Sequence, residues 1–464
     1  MNQDETGKGP IDFNRRDFIR GASFGTLMML MGGVPIQAED KNAAAAGGTG
    51  YSADKGGAPL ACAVIGCGHW GREILETLAR LPNAPVVAVC DTYAPALRRA
   101  GEAAPKAEKF ADYRQLLEKK EVQGVIVATP THQHREIVLA ALQAGKHVYC
   151  EAPLALTVED ARAIAQAART AFKLNFQSGL QMRSDPEWTF LLPFIRSGSI
   201  GKTIMARSQW NKKDSWRRPS SSAERDKAVN WRLRPETSCG LIGEIGIHQV
   251  DLIGWFLHAR PASVAGLGGI LNWDDGREVA DTIQSVFEYP GGVNHTFDCT
   301  LANSFDAEYN MLYGSDAAVM MRGSKAWMFK ETDAPTFGWE VYARKDEFYQ
   351  ATGIALAADA TKLVALAKKA TEEVAYTNTP LHFALQAFVQ NSNLVQAGVA
   401  DYTASYGDDA DGLRQNLVDL MKTKSHLPAA GYAEGFSATV NVIKANEAVV
   451  SGQKVKFEKE WFTI

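Results

Sequence analysis

The chain has 464 residues, 46% of them hydrophobic and 22% charged, and a net charge of −4. That length predicts two or three domains with a sizeable core. The slight acidity excludes nucleic acid as the main partner, because phosphate binding needs a surplus of lysine and arginine on one face. The six cysteines show no CxxC spacing, and a chain this long does not need a disulfide framework, so buried free thiols are expected and no metal.

Residues 1–38 read as a targeting segment rather than as fold. Asn14-Arg15-Arg16-Asp17-Phe18 is a twin-arginine pattern. The apolar run over 21–34 is too short for a membrane span, and Ile36-Gln37-Ala38 offers a small-residue cleavage site. The mature protein is therefore expected to be exported, to the periplasm, with no stable membrane span. Residues 39–58, rich in Ala, Gly, Lys and Asp, predict a flexible linker.

From residue 59 to 178 apolar runs alternate with amphipathic stretches. Strands are expected at 61–65, 86–90, 124–128 and 147–150. Helices are expected at 70–80, from 95, at 132–143 and at 157–170. Such alternation predicts a Rossmann-type parallel sheet with helices on both faces. The texture changes after Gln181, and a second domain is expected over 179–464. Alternating runs at 202–210, 263–271, 282–289, 293–301 and 310–313, joined by glycine turns, predict a second α/β domain with a large, mostly antiparallel open sheet. Helices are expected at 190–196, 246–257, 359–375, 379–399 and 435–451, with a short strand in the tail. The polar, turn-rich stretch 400–427 yields no element.

Gly66-Cys67-Gly68-His69-Trp70-Gly71 follows the first apolar run and opens a helix. In that context the first glycine permits a tight turn. The second lets the backbone approach a pyrophosphate, and the third lets the helix pack on the strand. The helix N-terminus presents free N–H groups to the phosphates. Asp91 ends the second strand 20 residues after Gly71. A carboxylate there accepts from a ribose hydroxyl and repels a 2′-phosphate, which favours NAD over NADP.

Three further segments carry a resemblance: Ala128-Thr129-Pro130-Thr131-His132-Gln133-His134, Gly145-Lys146-His147-Val148-Tyr149-Cys150-Glu151-Ala152-Pro153, and Gly243-Glu244-Ile245-Gly246-Ile247-His248-Gln249-Val250-Asp251. In this order the chain resembles the Gfo/Idh/MocA oxidoreductases, the group that includes glucose–fructose oxidoreductase and inositol dehydrogenase. The resemblance implies sugar, polyol or related substrates and an oligomer interface on the second sheet. It implies Pro130, Thr131, His134 and Glu151 on the cofactor side, and Arg183 beside the substrate cleft. Trp231 and Arg232, just before the Glu244 segment, are candidates to line the same cleft. Two departures stand out. Ala152 replaces the lysine of the family's Glu-Lys-Pro, and Glu244 stands where the family has aspartate.

Glu244 and His248, four residues apart, would share a face of one helix, with Asp251 a turn further on. Imidazole, with an ordinary pKa near 6.5, suits acceptance of a hydroxyl proton as hydride leaves carbon. The expected function is an NAD-dependent oxidoreductase with His248 as base. Free NAD is not expected outside the cytoplasm, so the cofactor would travel tightly bound within the folded protein and be recycled by a second substrate. Ala152 keeps two other readings open: a redox-assisted glycosidase or lyase, and a non-enzymatic sugar-binding relative.

Overall fold

The computed structural model describes residues 58–323, 325–348, 351–356 and 378–464. The targeting segment, the linker through residue 57 and the helix expected over 359–375 lie outside the described residues.

The first sheet has six parallel strands: β1 (Cys62–Ile65), β2 (Val86–Cys90), β3 (Glu108–Phe110), β4 (Gly124–Val127), β5 (His147–Cys150) and β6 (Phe176–Ser178). Their order is β3-β2-β1-β4-β5-β6. β1, β4 and β5 are buried along their whole length, as strands covered on both faces must be. Helices α1 (His69–Leu78), α2 (Ala94–Ala103), α3 (Tyr113–Leu117), α4 (His134–Gln143) and α5 (Val158–Thr170) connect them. β3 and β6, three residues each, were not anticipated. Glu108 and Lys109 are exposed, and so short an edge strand carries no periodic signal.

The second domain opens with α6 (Pro186–Arg196) and then β7 (Thr203–Asn211). α7 (Ala223–Val229), α8 (Gly240–Glu244) and α9 (Gly246–Leu257) follow. The remaining strands are β8 (Ser263–Gly269), β9 (Thr282–Glu288), β10 (Asn294–Thr300), β11 (Glu308–Gly314), β12 (Ala317–Arg322), β13 (Lys325–Lys330), β14 (Lys345–Phe348) and β15 (Ala351–Ala355). With β16 (Val455–Lys456) they make a ten-stranded sheet, order β14-β15-β13-β12-β11-β7-β10-β9-β8-β16. Among the described residues, only the β10–β7 pair of this sheet is parallel. One face packs on α6 and α9 through Leu191, Phe194, Ile247, Ile253, Phe287 and Phe297, all buried. The other face leaves Met205 and Val286 exposed.

Three helices complete the chain: α10 (Pro380–Tyr406), α11 (Ala410–Leu420) and α12 (Tyr432–Ser451). The stretch 400–427 is thus not irregular. α10 runs on into it as far as Tyr406, and α11 docks Leu413 and Leu417 against Val395. Two buried leucines among polar residues are too sparse a pattern to read in advance. The helices also tie the domains together. Leu381, Leu385 and Phe388 of α10 pack with Leu60, Val64 and Tyr149 of the first domain. Along α12, Phe436 and Val440 face the first sheet, while Val442 and Ala445 join the second core. The six cysteines are free and buried.

Candidate active site

Strand order reverses between β1 and β4, and ligands of open parallel sheets bind in the crevice beyond that point. The Gly66–Gly71 turn leaves β1 there. Gly66 has φ +95°, and a Cβ on it would lie 2.6 Å from the carbonyl of Ala128, so only glycine fits. A Cβ on Gly71 would strike the carbonyl of Gly66. Gly68 is different: a Cβ there would meet nothing within 4 Å. It caps α1 with no side-chain hydrogen bond, so the first N–H groups of that helix face open space. The donors and the room suit a pyrophosphate. His69 and Trp70 begin α1, and both are exposed.

Asp91 sits at the end of β2. Its Oδ2 accepts from the Cys67 N–H at 2.9 Å and its Oδ1 from the Tyr93 N–H at 2.8 Å. The carboxylate is therefore locked against the glycine turn, with lone pairs left for a ribose.

Beyond β4, Pro130 caps a single turn over Thr131–Gln133. His134 does not turn toward the crevice. Its ring is buried, with Nδ1 3.0 Å from the Pro153 carbonyl and Nε2 2.9 Å from the Thr129 carbonyl. Burial lowers its pKa to about 4, against these carbonyls. The residue expected on the cofactor side thus fastens the β4 loop to the Ala152–Pro153 loop, whose peptide bond is cis. Glu151, at the end of β5, is buried, and burial raises its pKa to about 7, with the Trp70 indole, the Ala152 N–H and the Tyr149 side chain opposing.

Glu244 and His248 are not on one helix. The chain breaks at Ile245 (φ −121°, ψ −57°), separating α8 from α9, so the expected shared face does not exist. Glycine flanks Glu244-Ile245 on both sides. Instead Glu244 is turned to the first domain: Thr131 Oγ1 donates to its Oε1 at 3.4 Å, joined by Ser238 Oγ at 3.3 Å and the Cys239 N–H at 3.4 Å. Burial raises its pKa, opposed first by Arg232. His248, half-buried, has no side-chain hydrogen bond among the described residues. Burial lowers its pKa and Asp251 opposes. Asp251 itself is held by Arg183 in a bidentate pair, Nε–Oδ2 2.8 Å and Nη2–Oδ1 2.9 Å. Arg183, expected at the substrate, is thereby committed to Asp251 and lies over Trp255.

Residues 212–237 form a strap between β7 and α8. The Arg225 guanidinium lies 3.7 Å from the centroid of Tyr93, beside Asp91. Trp231 lies 6.5 Å from His132, beyond β4. Because β1 runs between β2 and β4, the strap spans the glycine turn. The Arg232 guanidinium lies 4.4 Å from the ring centroid of Trp231 and 5.6 Å from that of Trp216. Trp216 has φ +64°, a left-handed conformation that costs a bulky residue ~1–3 kcal/mol. Asp214 Oδ1 accepts its N–H at 3.0 Å, and Arg277 donates to the adjoining Ser215 carbonyl. Tyr93 and Arg225 were not assigned from sequence, since their contact joins residues more than a hundred positions apart.

A glycine-turn cradle at a switch point, faced by a polar cluster from an open-sheet domain, defines a two-domain dinucleotide-binding protein. The first domain matches the Gfo/Idh/MocA oxidoreductase family, NAD-binding Rossmann fold, over residues 60–178. Residues 192–327 match the GFO/IDH/MocA C-terminal domain. The chain belongs to the Gfo/Idh/MocA family, and its first domain is NAD-binding. Among its relatives, inositol 2-dehydrogenase of Salmonella typhimurium is 30% identical over 202 residues, 43% of this chain and 55% of that protein. The match thus spans about half the length of that relative. The scyllo-inositol 2-dehydrogenase (NAD(+)) of Bacillus subtilis is 27% identical over 58% of this chain and 72% of its own. An oxidoreductase domain protein from Kribbella flavida shares the fold with a TM-score of 0.63 at 22% identity, over 87% of this chain and 100% of that one. A levoglucosan dehydrogenase in complex with NADH does so with a TM-score of 0.63 at 16% identity, over 86% and 99%.

Proposed function

We propose that the protein is an NAD-dependent oxidoreductase acting on a CH–OH group of a sugar or polyol. The observation that carries this is His248. It is a half-buried imidazole with no hydrogen-bond partner among the described residues, on the segment that the Thr131–Glu244 contact ties to the cofactor crevice. Bound NAD supplies a hydride acceptor. His248 accepts the hydroxyl proton on a ring nitrogen. Its lowered pKa keeps it neutral, and so ready as a base, near pH 7. Asp251, fixed by Arg183, stabilises the imidazolium that results. Glu244 orients the hydroxyl groups, and the Gly68 turn with Asp91 holds the cofactor. The relatives named for inositol and levoglucosan oxidation support the substrate class.

Ala152 leaves no cation where the family has its lysine, which supports a second reading: oxidation serves cleavage of a glycoside and leaves no net reduced cofactor. The test for both begins with purified protein. Denaturation is expected to release NAD, and a sugar and glycoside panel to yield oxidised product. Cleavage without net NADH selects the second reading. A protein that neither holds nor binds NAD ends both.

Arg15 and Arg16 support export of the folded, NAD-loaded protein, and double replacement by lysine is expected to hold it in the cytoplasm on fractionation. Met205 and Val286, exposed on the open sheet face, support self-association there. Sedimentation of a Met205→Glu variant as a smaller species than the parent is the expected result.

A further inference from the structure

Residues 212–237 carry eight lysines and arginines against four acids, a surplus of four in a chain whose net charge is −4. Part of that surplus is neutralised at short range. Arg217 pairs with Asp226 at 3.0 Å, Arg218 with Asp214 at 3.3 Å, and Arg234 with Glu278. Arg232 is not. Its closest carboxylate oxygen, Glu244 Oε2, is 3.7 Å from Nε, beyond hydrogen-bond length. The other oxygen of that carboxylate, Oε1, is the one approached by Thr131, Ser238 and the Cys239 N–H. The Arg232 side chain is 43% exposed.

The guanidinium is nonetheless built in. Indoles lie against it, Trp231 at 4.4 Å and Trp216 at 5.6 Å. Trp216 is held there in a backbone conformation that disfavours a bulky residue. Cation–π contact keeps the charge while engaging the flat surface of the guanidinium. What remains to offer is the edge of the fork, the side that grips a carboxylate with two parallel N–H bonds.

We propose that Arg232 is the receptor for a carboxylate of the substrate, so that the substrate is an acidic sugar: a uronic or aldonic acid, or a glycoside of one. The inference rests on the oxidoreductase reading of this cleft. Glu244 beside the guanidinium repels a dianion and so favours a singly charged carboxylate over a phosphate ester. The pyrophosphate of the cofactor has its own cradle at α1, whereas Arg232 stands with the segment that bears Glu244 and His248.

The test is titration of the NAD-loaded protein, followed by tryptophan fluorescence and calorimetry. D-Glucuronate is expected to bind about tenfold or more tighter than D-glucose, to weaken with salt, and to bind more tightly than glucose 6-phosphate. R232Q is expected to erase the preference for glucuronate while keeping its NAD. R232K, which keeps charge but not the fork, should fall between. Equal binding of glucose and glucuronate, binding of neither, or tighter binding of the phosphate ester would overturn the proposal. So would loss of NAD from a folded R232Q or R232K, since the guanidinium would then serve the cofactor. Glucuronate that binds as expected but never reduces the nicotinamide leaves the receptor standing and removes the oxidoreductase reading. Turnover of neutral sugars as fast as uronates, with equal binding, does the reverse.

Discussion

Gly66 and Gly68 stand two residues apart, and replacing each with alanine separates folding from cofactor binding. At Gly68 the backbone (φ −65°, ψ −159°) is open to any residue, and a Cβ meets no atom within 4 Å. The cost to stability is that of an N-cap change, below about 1 kcal/mol. At this chain length that is a shift in Tm of only about 2–4 °C at most. The methyl group would, however, stand where the pyrophosphate approaches α1. NAD affinity is expected to fall at least about tenfold, ~1.4 kcal/mol. Gly66→Ala is the contrast. A φ of +95° and a Cβ 2.6 Å from the Ala128 carbonyl add backbone strain of ~1–2 kcal/mol to an overlap that must move β4's loop. That variant should lose stability whether or not NAD is present. Thermal melts with and without added NAD, and quantitation of nucleotide released on denaturation, read both effects. A Gly68→Ala protein that keeps NAD as well as the parent would refute the placement of the pyrophosphate.

Three further outcomes are expected. His248→Asn should lower kcat about 10²–10⁴-fold while NAD stays bound; turnover at the parental rate would remove His248 as the base. Asp251→Asn strands the buried Arg183 guanidinium, a loss of ~3–5 kcal/mol in urea unfolding. By removing the carboxylate that raises the His248 pKa, it should also move the acid limb of the pH–rate profile to lower pH. A limb that moves to higher pH contradicts the assignment. Glu151, with its pKa raised from 4.5 to about 7 by burial, holds a proton in the folded state that the unfolded chain releases. Its contribution to stability is present below pH 4.5 and is lost as pH rises toward 7, by about 3 kcal/mol. Glu151→Gln should flatten that part of the stability profile between pH 5 and 8, and an unchanged slope would count against the burial argument.

The first domain was legible because its signals are local. A strand, a glycine turn and a helix fall within about thirty consecutive residues, and each glycine's role depends on its immediate neighbours. β3 and β6 escaped because three-residue strands have no period to detect. β12 to β15 were not anticipated either; β14 has three charged residues among its four, and β15 is five residues with a central glycine. At the site, residue identities were readable but their partners were not. Glu244 was matched with His248 on the assumption of an unbroken helix. The break at Ile245 hands Glu244 to Thr131, 113 residues away. His134 was placed on the cofactor side by resemblance, and only the path of two loops shows that carbonyls claim both its nitrogens. The strap was invisible as a unit. Nothing in 212–237 declares that Arg225 meets Tyr93.

The six buried cysteines bear on how the protein ages. Burial raises the Cys62, Cys67 and Cys90 thiols to about 12, and lifts Cys150, Cys239 and Cys299 as well. A thiol at 12 is thiolate in only roughly one molecule in 10⁵ at neutral pH, and the thiolate is the form that reacts. Oxidants and alkylating reagents must therefore wait for the fold to open. The rate at which a native sample takes up label then reports opening of the core itself, independently of any substrate or cofactor assay.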